Sequence, residues 1–193
     1  MRLRFTHVAA LLAASSLAYA QSPRGTAATT VDGKKVSVEY GRPSLKGRKL
    51  DDLLKQLPSD RIWRAGDDQV TTLTTETDLI IGGKKIPAGK YSVYVYLPED
   101  GSRHLVINKD LGIPLVKIWD KAPANLAQEP WPRLDGYQKN VADKEVARIP
   151  LTKETVSAPV ETFTIDTAPG KEGALLKLSW GNESWSSQLK PAK

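Results

Sequence analysis

The sequence has few of the residues that most often carry chemistry. Its 193 residues include no cysteine, one methionine and two histidines. The absence of cysteine excludes disulfide frameworks, thiolate zinc sites, iron–sulfur clusters, cysteine nucleophiles and lipid attachment at an N-terminal cysteine. No apolar run reaches the roughly 18 residues that a membrane-spanning helix needs, so a protein anchored by such helices is not expected.

The first twenty residues have the pattern of a secretory signal. A short basic head, Met1–His7, precedes an apolar or small-residue stretch, Val8–Leu17, and the sequence Ala18-Tyr19-Ala20 provides an A-x-A cleavage site. The alternative is a buried N-terminal helix. The pattern predicts a signal peptide over residues 1–20, a single domain over residues 21–193 and a periplasmic or secreted location.

The excess of positive charge is modest. Lysine and arginine number 28 against 22 acidic residues, and the basic residues are scattered among acids. Nucleic-acid binding usually needs basic residues gathered on one face, so a nucleic-acid partner is not expected. An anionic polymer of the cell envelope stays open as a partner. No transmembrane segment is expected after signal cleavage.

Alternation with period two predicts strands through most of the mature chain. The predicted strands are Thr26–Val31, Lys35–Tyr40, Gln69–Thr77, Leu79–Ile81, Lys84–Ile86, Tyr91–Leu97, Arg103–Asn108, Val146–Leu151, Val160–Asp166, Ala174–Trp180 and Ser184–Lys190. Turn residues at Asp32-Gly33, Gly82-Gly83 and Gly181-Asn182 predict tight hairpins. Short strands without alternating helices indicate an all-β fold, an antiparallel β-sandwich or barrel-like sandwich with one short helix.

Two segments interrupt the strands. Leu50–Leu57 places four leucines on one helical face before Pro58, which predicts the short helix. Lys121–Arg133 contains several prolines and predicts a long surface loop, with Trp131 as the side chain that anchors it.

Little in the mature chain suggests catalysis. His104 is its single histidine, it lies in a predicted strand, and no G-x-S-x-G motif is present. One histidine without cysteine is a poor zinc ligand set, so no catalytic residue, metal or cofactor is predicted. Asp51-Asp52 open the predicted helix, where acids favour the positive end of the helix dipole.

The acidic pair Asp67-Asp68 follows Gly66 in a predicted turn. Two neighbouring carboxyl groups can share a proton or hold a hard cation. Aspartate is also common in turns because its side chain bonds the local backbone. The turn interpretation is favoured, and a catalytic role stays open.

Arginine, tryptophan and acid residues concentrate in two predicted loops, Tyr40–Arg48 and Ile62–Gln69. A guanidinium group binds carboxylate or phosphate and stacks on indole. The loops either form an internal salt-bridge network or an anion or sugar-acid pocket, and in both cases we expect them to meet in space. The candidate ligand-binding residues are Arg42, Arg48, Trp63, Arg64, Asp67, Asp68 and Gln69.

These loops also carry a family resemblance. The motifs are Tyr40-x-Arg42-Pro43, Lys46-Gly47-Arg48, Trp63-Arg64-x-Gly66, Thr71-Thr72, Gly82–Tyr91, Val106–Lys109, Val160–Ile165 and Leu178–Trp180. Together they resemble bacterial domain-of-unknown-function family 2911 over nearly all of the mature chain. The resemblance implies an exported bacterial protein and supplies no activity. Gly41 stands where that family typically has serine, and Asp67-Asp68-Gln69 stand where Ala-Asn-Glu is typical.

The sequence favours a non-enzymatic binding or interaction module of the cell envelope, with a small anionic or carbohydrate ligand or an envelope protein as partner. One alternative is a hydrolase that uses Asp67 or Asp68 as acid or base. Another is a carbohydrate-binding module in which Tyr94 and Tyr96 form a stacking platform. The competing expectation is that the Lys121–Arg133 loop covers both tyrosines and bonds their hydroxyls.

Overall fold

The computed structural model describes residues 21–133 and 136–192, and the predicted signal peptide lies outside them. Within these ranges the chain forms strands that pair antiparallel throughout. The strands are β1 (Arg24–Val31), β2 (Lys34–Gly41), β3 (Ile62–Trp63), β4 (Thr72–Thr75), β5 (Leu79–Ile81), β6 (Lys84–Ile86), β7 (Gly89–Tyr96), β8 (His104–Asn108), β9 (Ile113–Pro114), β10 (Pro130–Trp131), β11 (Glu145–Pro150), β12 (Thr152–Gly170) and β13 (Gly173–Pro191).

The larger sheet has the order β1-β2-β4-β7-β8-β11. Strand β4 pairs with the first half of β7, from Gly89 to Ser92. The short strand β3 pairs with the end of β7, where Ile62 lies opposite Tyr96 and Trp63 opposite Val95. Strand β3 therefore pairs with β7 beyond the segment that β4 occupies.

The second sheet has the order β12-β13-β5-β6, and β9 pairs with β10 in a separate two-stranded sheet. Strands β12 and β13 are each 19 residues long. The all-β antiparallel sandwich that the sequence predicts is confirmed.

The predicted hairpin at Gly181-Asn182 is wrong. Strand β13 runs through this point, and Gly181 pairs with Val160 where the register with β12 shifts. Gly181 has a φ of 59°, so its left-handed conformation serves a bulge inside the strand instead of a chain reversal. The reversal lies ten residues earlier, between Gly170 and Gly173.

Two other predicted hairpins are confirmed. Asp32 and Gly33 connect β1 to β2, with φ values of 52° and 71°. Gly82 and Gly83 connect β5 to β6, with φ values of 53° and 83°. Positive φ at both central residues is the requirement of the tight turns that match strand twist.

The main core lies between the two sheets. Alternate residues of β7, namely Tyr91, Val93 and Val95, face this core, together with Phe163 of β12 and Trp185 of β13. The opposite face of the larger sheet carries a smaller apolar cluster of Ile62, Tyr94, Val106, Tyr137 and Val141. The period-two pattern of β7 thus separates two apolar layers, as expected for a strand covered on both faces.

The helices are short. Helix α1 (Leu50–Leu54) ends three residues before the predicted boundary at Leu57. A second helix, α2 (Tyr137–Asn140), was not expected from the sequence. No helix in the described ranges is long and apolar enough to span a membrane.

The predicted Lys121–Arg133 loop is largely irregular and ends in β10. Trp131 is buried against Leu115 and Leu126, which confirms it as the residue that anchors the loop. The loop is also hydrogen-bonded to the chain just after Gln69, because the backbone N–H of Val70 donates to the Pro130 carbonyl at 2.9 Å.

Candidate functional site

The two arginine-containing loops meet in space. A Cβ atom added at Gly41 would lie 2.0 Å from the carbonyl oxygen of Asp67, so the backbones touch at a point where only glycine fits. The predicted meeting of the loops is confirmed. The contact also joins the two segments that depart from the family pattern.

The first loop is fixed to β12. The backbone N–H of Leu45 donates to the Glu161 carbonyl at 2.9 Å, and that of Phe163 donates to the Pro43 carbonyl at 2.8 Å. The Glu161 carboxylate accepts bonds from the Ser44 hydroxyl at 2.5 Å and the Lys46 N–H at 2.7 Å. The hydrogen bonds to Ser44 and Lys46 hold the pKa of Glu161 below its ordinary value.

A cavity of about 250 Å³ opens between the two loops and helix α1. Its lining residues are Pro43, Arg48, Leu53, Leu54, Leu57, Trp63, Arg64, Gly66, Asp67 and Trp180. Four of the seven predicted site residues, Arg48, Trp63, Arg64 and Asp67, therefore share one cavity.

Aromatic rings form one wall of this cavity. The indole of Trp63 stacks on that of Trp180, with centroids 5.1 Å apart and planes 16° from parallel. Phe163 and Trp185 meet Trp63 edge-on, at 4.7 Å and 6.4 Å. Trp180 is 6% exposed, and its indole N–H has no acceptor among the described residues.

The two arginines of the cavity keep unused donors. Arg48 donates to the carbonyls of Leu45 and Ser44 through Nε and Nη2. Arg64 donates through Nη2 to Asp67 Oδ1 at 2.5 Å, and its side chain is 32% exposed. In the described chain neither Nη1 atom has a partner, so both guanidinium groups can bind a further acceptor.

The acidic pair is already occupied by the chain itself. Asp67 Oδ2 accepts a bond from the Ser22 hydroxyl at 3.0 Å, and Asp68 Oδ2 accepts one from the Ser22 backbone N–H at 2.6 Å. Asp68 is 4% exposed and does not line the cavity, whereas Asp67 does. The pair therefore holds the segment before β1. Neither the turn interpretation nor the catalytic one included this contact.

Arg42 and Gln69 lie outside the cavity lining. The Arg42 Nη2 atom is 3.5 Å from the Thr164 hydroxyl, and its Nε is buried without an acceptor in the described chain. The side-chain oxygen of Gln69 is likewise buried without a donor there.

A second cavity of about 330 Å³ adjoins the first. Its lining residues are Leu57, Pro58, Asp60, Ile62, Trp63, Arg64, Tyr94, Pro132, Arg133, Gly136, Tyr137 and Val141. The sequence did not indicate this cavity. Gly136 and Tyr137 belong to a segment whose helix is too short to show periodicity.

The stacking platform of Tyr94 and Tyr96, which the sequence left open as an alternative, is contradicted by the burial of Tyr94. Tyr94 is 6% exposed and meets Tyr137 of α2 edge-on at 4.9 Å, so α2 covers Tyr94, a role that was expected of the Lys121–Arg133 loop. The Arg148 guanidinium lies 4.5 Å from the Tyr96 ring centroid. The Tyr94 ring is therefore too buried to form a platform, and Arg148 covers one face of the half-buried Tyr96 ring.

Sequence reasoning missed a second, buried charged cluster. Arg103 and Glu183 are each 6% exposed and form two hydrogen bonds of 3.1 Å. Glu183 also accepts from Trp185 Nε1 at 2.7 Å and from Lys153 at 2.8 Å. Burial raises the pKa of Glu183, but the bonds from Lys153 and Trp185 and the charge of Arg103 outweigh it, so the pKa lies below its ordinary value.

The described ranges hold no group of three or more histidine, cysteine or acidic residues arranged to bind a metal ion. His104 is half-buried beside Tyr96, with ring centroids 5.7 Å apart. That position is on β8 and away from the two cavities.

The geometry defines a class of protein: an all-β sandwich whose loops at one end enclose a cavity of arginine and tryptophan side chains. A family model described as "Protein of unknown function (DUF2911)" matches residues 22–189. The chain belongs to this family, as the motifs around Arg42 and Trp63 indicated. No curated protein and no solved structure matches it.

Proposed function

We propose that this protein is an exported, non-enzymatic binding module that holds an acidic sugar in the cavity between Arg48, Trp63 and Arg64. The observation that carries the proposal is the pairing of unused guanidinium donors with an aromatic wall in one open cavity. A sugar acid presents a carboxylate, which a guanidinium fork binds, and an apolar ring face, which packs on indole.

The charge balance supports an anionic ligand. Two arginines and one aspartate line the cavity, and Asp67 is already bound by Arg64, Ser22 and the Asp68 N–H. Arg48 has no carboxylate partner in the described chain, and both arginines keep an Nη1 donor without an acceptor there, so a ligand carboxylate beside Arg48 and Arg64 is favoured.

A hydrolase is the weaker proposal. A glycosidase needs two carboxyl groups roughly 5–10 Å apart across the bond that it cleaves. Asp67 is the one carboxylate among the described residues that line this cavity, and its two oxygens already accept three hydrogen bonds.

Binding of glucuronate, with glucose as the neutral control, tests this proposal by calorimetry and intrinsic tryptophan fluorescence. We expect glucuronate to bind and change the emission of Trp63 and Trp180, and glucose to bind at least about tenfold more weakly. Arg64→Gln should weaken glucuronate binding by about tenfold or more, since a charged hydrogen bond contributes about 1.5–3 kcal/mol.

Lys34→Gln is the matched control, because it removes one exposed positive charge at the β1–β2 turn, seven residues along β2 from the contact at Gly41. Equal affinity for glucose and glucuronate, or no binding of either, would overturn the proposal. Sequencing the N-terminus of protein from the periplasm or medium tests export, with Gln21 as the expected first residue.

A further inference from the structure

We propose that the ligand is an oligomer of acidic sugars that occupies both cavities and passes the sheet edge at Arg64. This inference rests on the proposed function and adds the length of the ligand. Its basis is that three residues, Leu57, Trp63 and Arg64, line both cavities, so the two spaces adjoin.

The two cavities lie on opposite sides of β3. Trp63 packs against the main core between the sheets, together with Trp180 of the first cavity. Ile62 belongs to the outer cluster, together with Tyr94 and Tyr137 of the second cavity. Successive residues of a strand point to opposite faces, so Ile62 lines the second cavity alone, whereas the larger Trp63 side chain borders both spaces. A single sugar bound beside Trp63 therefore leaves the second cavity open to the next ring.

Arg64 is the charged residue among the three that line both cavities. Asp67 binds its Nη2 atom from the side of the first cavity. The described chain offers no partner for Nε or Nη1 of Arg64. The remaining face of the guanidinium group can thus bind a carboxylate or hydroxyl at the junction of two sugar units.

The second cavity has its own arginine. Arg133 is 34% exposed on its side chain, and its Nε lies 3.8 Å from Asp110 Oδ2. Lys144 binds the same oxygen at 2.6 Å, so Asp110 is shared and holds Arg133 weakly. Hydrogen bonding by Lys144 and Gly112 lowers the pKa of Asp110 although burial opposes it, so this carboxylate stays ionised.

The single carboxylate that lines the second cavity in the described chain is also satisfied. Asp60 accepts backbone N–H bonds from Ile62 at 3.2 Å and from Tyr137 at 3.1 Å. The combined groove therefore offers three arginines, Arg48, Arg64 and Arg133, while its two aspartates are engaged by the protein. This charge pattern matches a ligand with a carboxylate on successive units.

A length series of galacturonate tests the inference: the monomer, dimer and trimer, measured by calorimetry on the wild-type protein. We expect the trimer to bind at least tenfold more tightly than the monomer, because a second ring fills the second cavity. Arg133→Gln should remove this gain and bring the trimer dissociation constant within threefold of the monomer value for the same variant. Lys34→Gln should keep the gain, and maltotriose serves as the neutral trimer.

The outcomes separate the two proposals. If the monomer binds and the trimer binds no more than twofold better, the extended ligand is wrong and the acidic-sugar cavity stands. A length gain that survives Arg133→Gln also overturns the second subsite. If neither monomer nor trimer of galacturonate binds, the extended ligand is wrong, and the glucuronate titration decides on the acidic-sugar cavity separately. Cleavage of the trimer during the measurement would replace the binding module with a hydrolase.

Discussion

Two clusters of arginine, carboxylate and tryptophan occur in this molecule, and their burial differs. The Arg64–Asp67 pair beside Trp63 has side chains that are 32% and 36% exposed. The Arg103–Glu183 pair beside Trp185 has side chains that are both 6% exposed. The residue types are the same, but one pair faces a cavity and the other lies between strands.

Hydrogen-bond saturation separates the clusters. In the buried cluster, Arg103 uses Nε and Nη2 on Glu183 and Nη1 on the Ser102 carbonyl, while Glu183 also accepts from Trp185. In the open cluster, Arg64 makes one hydrogen bond within the described chain. A saturated buried network stabilises one structure, whereas an unsaturated exposed one has capacity for a ligand. The comparison therefore predicts that Glu183 contributes to stability, and it supports the binding role proposed for Arg64.

The largest expected effect follows Glu183→Gln. The change leaves Arg103 buried without a countercharge, and we expect a loss of about 3–5 kcal/mol in the free energy of unfolding, measured by urea denaturation. Asp67→Asn is the matched control and should lose about 1–2 kcal/mol, since its pair with Arg64 is about one third exposed and asparagine keeps one acceptor oxygen. Equal losses for the two variants would contradict the comparison.

Trp63→Ala should have the next largest effect. Removal of a large buried aromatic side chain costs about 3–5 kcal/mol, and the lower end applies because Trp63 is only partly buried. Trp63→Phe keeps a ring against Phe163 and Trp185 and should recover at least half of the loss. A loss below about 1 kcal/mol for Trp63→Ala would show that the stack on Trp180 contributes little.

Local patterns in the sequence predicted most of the strands. The alternation in β7 and the glycine turns after Val31 and Ile81 encode local geometry, and all three were predicted correctly. At Gly181 the same signal failed, because positive φ suits a bulge as well as a turn. Pairing over 19 residues of β13 decides between them, and pairing is not a local property.

The site was partly predictable for the same reason. Clustering of arginine and tryptophan in two loops predicted Arg64 and Trp63 as site residues. The glycine at position 41 lets the two loops touch. Trp180 was predicted as part of a strand and of a family motif but not of the site, since its stacking on Trp63 joins residues more than 100 positions apart. The Ser22 N–H that donates to Asp68 lies 46 positions away in the sequence, so no local pattern predicts this hydrogen bond either.

A pH titration tests the electrostatic side of the comparison. The pKa of Glu183 lies below its ordinary value of 4.5, because three bonded groups outweigh the effect of burial. Its contribution to stability is thus complete above about pH 4.5 and is lost as the pH falls through the folded-state pKa. Each unit of pKa shift corresponds to about 1.4 kcal/mol.

Unfolding by urea between about pH 6 and pH 3 measures this contribution. The wild-type protein should lose stability more steeply below pH 4.5 than Glu183→Gln does. Both proteins keep the exposed carboxyl groups of Asp78, Asp100 and Glu161, whose pKa values are also lowered, so both retain some slope. Parallel curves for the two proteins would contradict the ionised, saturated role of Glu183.

The smallest effect is expected for Ser22→Ala, which tests the open cluster from its other side. The change removes the hydroxyl that donates to Asp67 Oδ2 and leaves the backbone bond to Asp68. A part-buried hydrogen bond contributes about 0.5–1.5 kcal/mol, so the melting temperature should fall by about 1–6 °C. Ser59→Ala, at an exposed position, is the control and should change the melting temperature by less than about 1 °C.

Since Asp67 positions Arg64, Ser22→Ala should weaken glucuronate binding less than Arg64→Gln does. A fall in melting temperature as large as that of Glu183→Gln would show that the acidic pair is a structural core, and that the open cluster is not the more weakly constrained of the two.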